Sequence, residues 1–169
     1  LDSIYLDIDY MERYKDFTVD PERFPDLGKL VQDMRTQGIR LVPIIDAGVK
    51  IETGYDVYQE GVAHNYFCKN AEGKDFVGAV WPGRVHFPDF LQPEARDWFG
   101  KKYAVLTDLG IEGFWNDMNE PAIFYTEDRL AETCSEIQRL TAGNMGIDEY
   151  FAFTGMVAAV SYTHLTLPT

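Results

Sequence analysis

The chain has 169 residues, 46% of them hydrophobic and 14% aromatic, enough to bury a core, and a single domain is the natural expectation. Its 15 Lys and Arg against 28 Asp and Glu give a formal charge of −13 at pH 7, which argues against nucleic acid and anionic membrane as partners because phosphate binding needs cations. No run of about 18 apolar residues marks a membrane span.

Cys68 and Cys134 lie far apart and match no metal-ligand spacing, so reduced, partly buried thiols are expected, in keeping with a cytoplasmic setting. The chain begins at Leu1 and residues 3 to 6 already read as a strand, so the native N-terminus is expected upstream. At the other end, SYTHLTLPT (161–169) lacks the pattern of the preceding chain. It reads as a non-native tail, leaving 1–160 as the domain.

In chain order, SIYLDIDY is β-rich and ends in Asp7 and Asp9, followed by a proline-punctuated connection to Pro25. From Asp26 the apolar residues Leu27, Leu30, Val31 and Met34 recur at helical spacing, with Gly38 just beyond. IRLVPII is a nearly continuous apolar run closed by Asp46, as expected of a strand covered on both faces. Residues 49–92 read as an elaborated loop with a short helix near 55–63 and a hairpin around NAEGKD. Pro93 opens a second long helix with Ala95, Trp98, Phe99, Tyr103, Leu106 and Leu109 on its apolar side, ended by Gly110. IEGFWND is the third strand, and Thr126 followed by Glu127 and Asp128 suits the start of a helix to about Leu140.

Alternating strands and helices imply a parallel sheet with right-handed crossovers. A complete eightfold barrel needs about 250 residues, so the chain holds either a smaller open α/β sheet or about three to four of eight βα units.

The three strands end alike, in Asp7 and Asp9, in Asp46, and in Asp117. One acid at a strand end is commonplace because Asp favours turns. Acids on all three point to a shared acidic site, since ligands of parallel α/β folds bind at the carboxyl ends of the strands. Such carboxylates suit a divalent metal, or a polyol on which they act as acid, base or nucleophile. Metal barrels usually recruit histidines as well. His64, His86 and His164 end no predicted strand and read as surface or loop residues, so the metal reading falls behind. The polyol reading gains from aromatics near the acids: Trp81, Phe87, Phe90 and Trp115. Alternation sends Trp115 and Asp117 to one side of their strand, where an indole face and a carboxylate suit a sugar ring. For aromatics in general, core packing is the competing explanation.

GFWNDMNEP (113–121) resembles the nucleophile motif of glycoside hydrolase family 31, the α-glucosidase family. YLDIDYMERYKDFTVDPERFPD, VPIIDAGVKIETGYDVY, AVWPG and FPDF resemble other segments of that family in the right order, so the resemblance runs from about residue 3 to residue 125. It implies the early part of a (β/α)₈ barrel and hydrolysis of α-glycosidic bonds with retention of configuration. It also implies an α-linked oligosaccharide or glucoside as substrate, no cofactor and no metal, and it leaves a homo-oligomer open. Carried over residue by residue, it makes Asp117 the nucleophile that forms a glycosyl-enzyme intermediate. Asp7 matches a position that bonds hydroxyls of the terminal sugar, and Ile44, Trp81, Trp115 and Met118 match residues that wall the same subsite. Asp9, Asp46 and Glu120 lie within the motifs in supporting roles.

A retaining glycosidase holds its nucleophile and its acid/base carboxyl about 5 to 5.5 Å apart. In the family that acid is an Asp on a later strand, and nothing after Leu140 matches it; Asp148 and Glu149 have no motif behind them. The polypeptide as given is therefore expected to have no useful glycosidase activity, which an assay on a nitrophenyl α-glucoside would test. Two other readings stay open: a non-catalytic sugar-binding half-barrel, and a divalent-metal-dependent barrel enzyme. α-Xylosidase, transglycosylase and α-glucan lyase share the motifs with α-glucosidase.

Overall fold

The structure, a computed structural model, describes residues 1–119, 122–126 and 129. The first strand, β1 (Ser3–Leu6), is followed by two 3₁₀ turns, Ile8–Tyr10 and Glu12–Tyr14, and a loop that leads to α1 (Leu27–Thr36). Asp26 caps α1, its side chain accepting from Lys29 N at 2.8 Å, and Gly38 at φ 78° takes the left-handed position after the helix. Leu27 and Val31 are buried and Leu30 and Met34 half-buried, so the helical period of the sequence becomes the face laid on the sheet.

The second strand, β2 (Arg40–Ile45), pairs parallel with β1 from Ser3↔Arg40 to Leu6↔Pro43. After the short β3 (Val49–Lys50) comes α2 (Asp56–Ala63), then the hairpin of β4 (Gly78–Val80) and β5 (Gly83–His86). The helices α3 (Pro93–Lys102) and α4 (Ala104–Thr107) return the chain to β6 (Trp115–Asn116), which is followed by β7 (Tyr125–Thr126). Two sheets result. A parallel sheet has the order β1-β2-β6, and an antiparallel one the order β3-β5-β4-β7.

Pro43 sits where β2 changes partner. Residues 40–43 face β1, whereas Ile44 and Ile45 pair with Trp115 and Asn116 of β6. A central strand tolerates the missing proline N–H at such a handover.

Three local expectations change. The helix from Pro93 divides at Tyr103 into α3 and α4. The third strand is two residues long, because only Trp115 and Asn116 reach β2. The NAEGKD turn closes a single bridge, Lys69↔Asp75, while the regular hairpin of the segment turns instead at Trp81 and Pro82, with Gly83 at φ 93°. Thr126 ends β7, paired with Gly78, and Glu127 and Asp128, where a helix is expected to begin, lie outside the described residues. The helix expected to Leu140, Cys134 and the tail at 161–169 lie outside the described residues.

The main core joins the sheet, α1, α3 and the 49–92 excursion through residues such as Ile45, Val57, Phe67, Trp98 and Leu106. His86 is part of it rather than a surface histidine. It is buried in β5, its Nδ1 lies 2.8 Å from Phe76 O, and it packs against Tyr58 and Phe67. Among the described residues no helix is long and apolar enough to cross a membrane.

Candidate active site

Register places the acids. Tyr5 is level with Val42 and Ile44 with Trp115. Alternation along parallel strands then puts Tyr5 and Asp7 of the first strand, Ile44 and Asp46 of the second, and Trp115 and Asp117 of the third on one face. The opposite face is identified by contact: the Tyr103 ring meets Phe114 edge-on at 4.7 Å and its hydroxyl donates to Asn116 Oδ1 at 2.6 Å. Residues 114 and 116 therefore look toward the α3–α4 junction, and 115 and 117 look away from it. On the acidic face Tyr5 and Trp115 touch edge-on with centroids 6.3 Å apart.

The backbone holds the ends of β2 and β6 together. Asp117 N donates to Ile45 O at 3.1 Å, extending the ladder by one residue, and Tyr10 OH donates to Ile44 O at 2.8 Å. The residue after each of these strand-end acids has left-handed backbone, Ala47 at φ 50° and Met118 at φ 56°. Non-glycine residues seldom adopt it and gather at functional sites when they do. The sharp turn at Met118 brings its own N–H to Asp117 Oδ1 at 2.9 Å.

The predicted residues divide accordingly. Asp7, exposed at the end of β1, accepts from Ile8 N at 2.8 Å through one oxygen. Ile44 is buried under Trp115, and Met118 is buried beside Asp117. Trp81 is buried in the β4–β5 turn and meets Phe124 edge-on at 5.5 Å. Asp9 points elsewhere and pairs with Arg23 at 2.7 Å, which closes the loop after β1. Phe87 and Phe90 pack against Phe76 and Phe99, so they serve packing rather than the acids. Glu120 lies outside the described residues.

Asp16, which no sequence pattern singles out, is fully buried against Asp46. Its only sequence signal is an acid between a lysine and an aromatic in a loop, which no periodicity distinguishes from a solvated acid. Among the described residues no three His, Cys, Asp or Glu side chains gather as metal ligands. Cys68 is a free, half-buried thiol whose Sγ lies 3.6 Å from Pro88 O, and burial pushes its pKa up.

Parallel strands in chain order, helices between them and acids at the carboxyl ends define part of a (β/α)₈-barrel domain. Residues 1–162 match the family model "Glycosyl hydrolases family 31 TIM-barrel domain", and the chain belongs to that family. It is 56% identical over 124 residues to Alpha-glucosidase 2 of Bacillus thermoamyloliquefaciens, a match covering 73% of this chain and 16% of that enzyme. It is 34% identical over 135 residues to the Alpha-glucosidase of Saccharolobus solfataricus, covering 80% of this chain and 19% of the relative. The solved family 31 alpha-glucosidase from Bacteroides thetaiotaomicron superposes with a TM-score of 0.67 at 39% identity, over 72% of this chain and 21% of that one. The chain thus spans less than a fifth of the length of the two alpha-glucosidases it matches by sequence.

Proposed function

We propose that this segment supplies the nucleophile side of a retaining α-glucosidase site, with Asp117 as the nucleophile and a terminal α-linked glucose as the sugar bound. The observation that carries the reading is the common face: Asp7, Trp115 and Asp117 lie together at the carboxyl ends of the parallel strands, in the register given above. Asp117 attacks the anomeric carbon while an acid from elsewhere in the barrel protonates the leaving oxygen, and water then hydrolyses the ester intermediate. The Met118 N–H held on Asp117 Oδ1 orients the carboxylate and fixes which oxygen is free to attack. Asp7 bonds sugar hydroxyls with its free oxygen. Trp115, Trp81, Ile44 and Met118 wall the apolar faces of the ring, and Asp9 secures the loop beneath. The similarity to alpha-glucosidases supports glucose over other sugars.

The test is a chimera in which this chain's matched residues replace their 124-residue counterpart in the Bacillus thermoamyloliquefaciens enzyme. A mechanism-based cyclitol inactivator should label Asp117, and Asp117→Asn should lower kcat on a nitrophenyl α-glucoside by roughly a thousandfold or more. Labelling of another carboxyl would overturn the assignment.

A further inference from the structure

Beside Asp117 lies a pair of buried carboxyls that the proposed reaction does not use. Asp16 is 0% exposed and Asp46 2%. The main chain treats them unequally. Asp16 Oδ1 accepts from Asp46 N at 3.3 Å, and the Ala47 N–H also bonds the Asp16 carboxyl. Both oxygens of Asp46, and Asp16 Oδ2, have no hydrogen-bond donor among the described residues. Two ionised carboxylates are acceptors only and cannot bond one another. A buried acceptor without a donor is costly, whereas one proton between the two groups makes a charge-assisted O–H···O bond.

The ionisable groups whose fields meet at the pair are Tyr10, Tyr55, Tyr103 and Asp117. The phenol of Tyr10 is committed to Ile44 O and that of Tyr55 to Asp16 O at 2.7 Å, and Tyr103 donates to Asn116. All three phenols are pushed upward, chiefly by burial, and stay neutral. Burial raises both carboxyls as well, and the charges of Asp16 and Asp117 raise Asp46 further.

We infer that Asp46 carries a proton, donates it in a hydrogen bond to the ionised Asp16, and so meets Asp117 as a neutral carboxyl, the two acting as positioning residues for the nucleophile. The anion belongs on Asp16 because the N–H groups at the left-handed Ala47 turn are aimed there, and the proton belongs on Asp46 because no donor among the described residues satisfies its oxygens. A neutral Asp46 keeps a second negative charge away from Asp117, while an ionised one sets a like charge beside it. The same hydrogen bond ties the loop after β1 to the end of β2, whose Ile45 carbonyl holds Asp117 N. The inference rests on the reading of Asp117 as nucleophile for its consequence, but not for the proton itself.

The experiment uses the full-length enzyme carrying this segment, with Asp46→Asn, Asp46→Ala and Asp16→Asn. The carboxamide introduced by Asp46→Asn is neutral and can donate to Asp16, so this variant should keep kcat within about threefold of the parent, while Asp46→Ala loses about tenfold or more. In Asp16→Asn the negative charge passes to Asp46, beside the nucleophile, and the acid limb of the pH profile of kcat/KM should move to higher pH, which a purely structural role would not produce. Infrared difference spectra of the substrate-free enzyme at neutral pH should show a carboxylic-acid C=O stretch that Asp46→Asn removes. Absence of that band, or an Asp46→Asn enzyme as impaired as Asp46→Ala, would overturn the inference. An inactivator label on a carboxyl other than Asp117 would sink the nucleophile reading alone, since the infrared band is recorded without turnover.

Discussion

Asp46 and Asp117 look alike in the sequence, each closing an apolar run, and they differ in what encloses them. Asp117 is half-buried with a backbone donor on one oxygen, and Asp46 is buried with none among the described residues. This difference makes a pH prediction. Burial lifts Asp16 and Asp46 above their ordinary value of 3.8 in the folded state, whereas the unfolded chain releases both protons near that value. Above it the folded state holds more protons than the unfolded one, so this contribution is full at lower pH and is lost as pH rises toward neutrality. Urea unfolding midpoints should therefore fall as pH rises from about 4 to about 7, by less in Asp46→Asn than in the parent enzyme; equal slopes would contradict the assignment. A second residue-scale prediction concerns Gly61. A Cβ there would lie 2.2 Å from Phe67 Cζ, and the Phe67 ring is confined by Tyr58, His86 and Trp98. Gly61→Ala should destabilise by about 1 to 3 kcal/mol, read as a lowered denaturant midpoint.

At the level of elements, legibility followed periodicity. The first long helix was readable because Leu27, Leu30, Val31 and Met34 keep one face and Asp26 stands at its start. Replacing Asp26 by Ala removes the acceptor for Lys29 N and should cost about 1 kcal/mol in chemical denaturation, with little effect on turnover. A larger loss of activity than of stability would mean that α1 does more than support the sheet. The third strand was readable in place but not in length, because a strand's extent is decided by which residues reach a partner, and only two reach β2. The Trp81–Pro82 hairpin was missed because its register comes from β3 and β7 on either side, not from an alternating pattern of its own. Pro43 belongs to the same lesson. In isolation it argues against a central strand, and it is tolerated because β2 exchanges β1 for β6 at that residue.

For the whole molecule, charge is the property that sequence settles most directly. With a formal charge of −13, the chain should show no retention on heparin or on immobilised DNA at moderate salt, since such binding needs clustered cations; retention there would reveal a basic patch that composition hides. The parallel α/β class, the three acidic strand ends and the ordered motifs that align with family 31 could all be read from the residues, because apolar period, turn residues and motif order are local properties of the chain. Which acids share a face could not, since that depends on the register between strands distant in sequence. Folding likewise fixed Phe87 and Phe90 as packing residues and gave Asp9 to its loop. Above all it brought out Asp16, a loop acid carried under the end of β2 and paired there with Asp46. Burial and mutual approach govern the protonation of such a pair, and neither exists until the chain has folded.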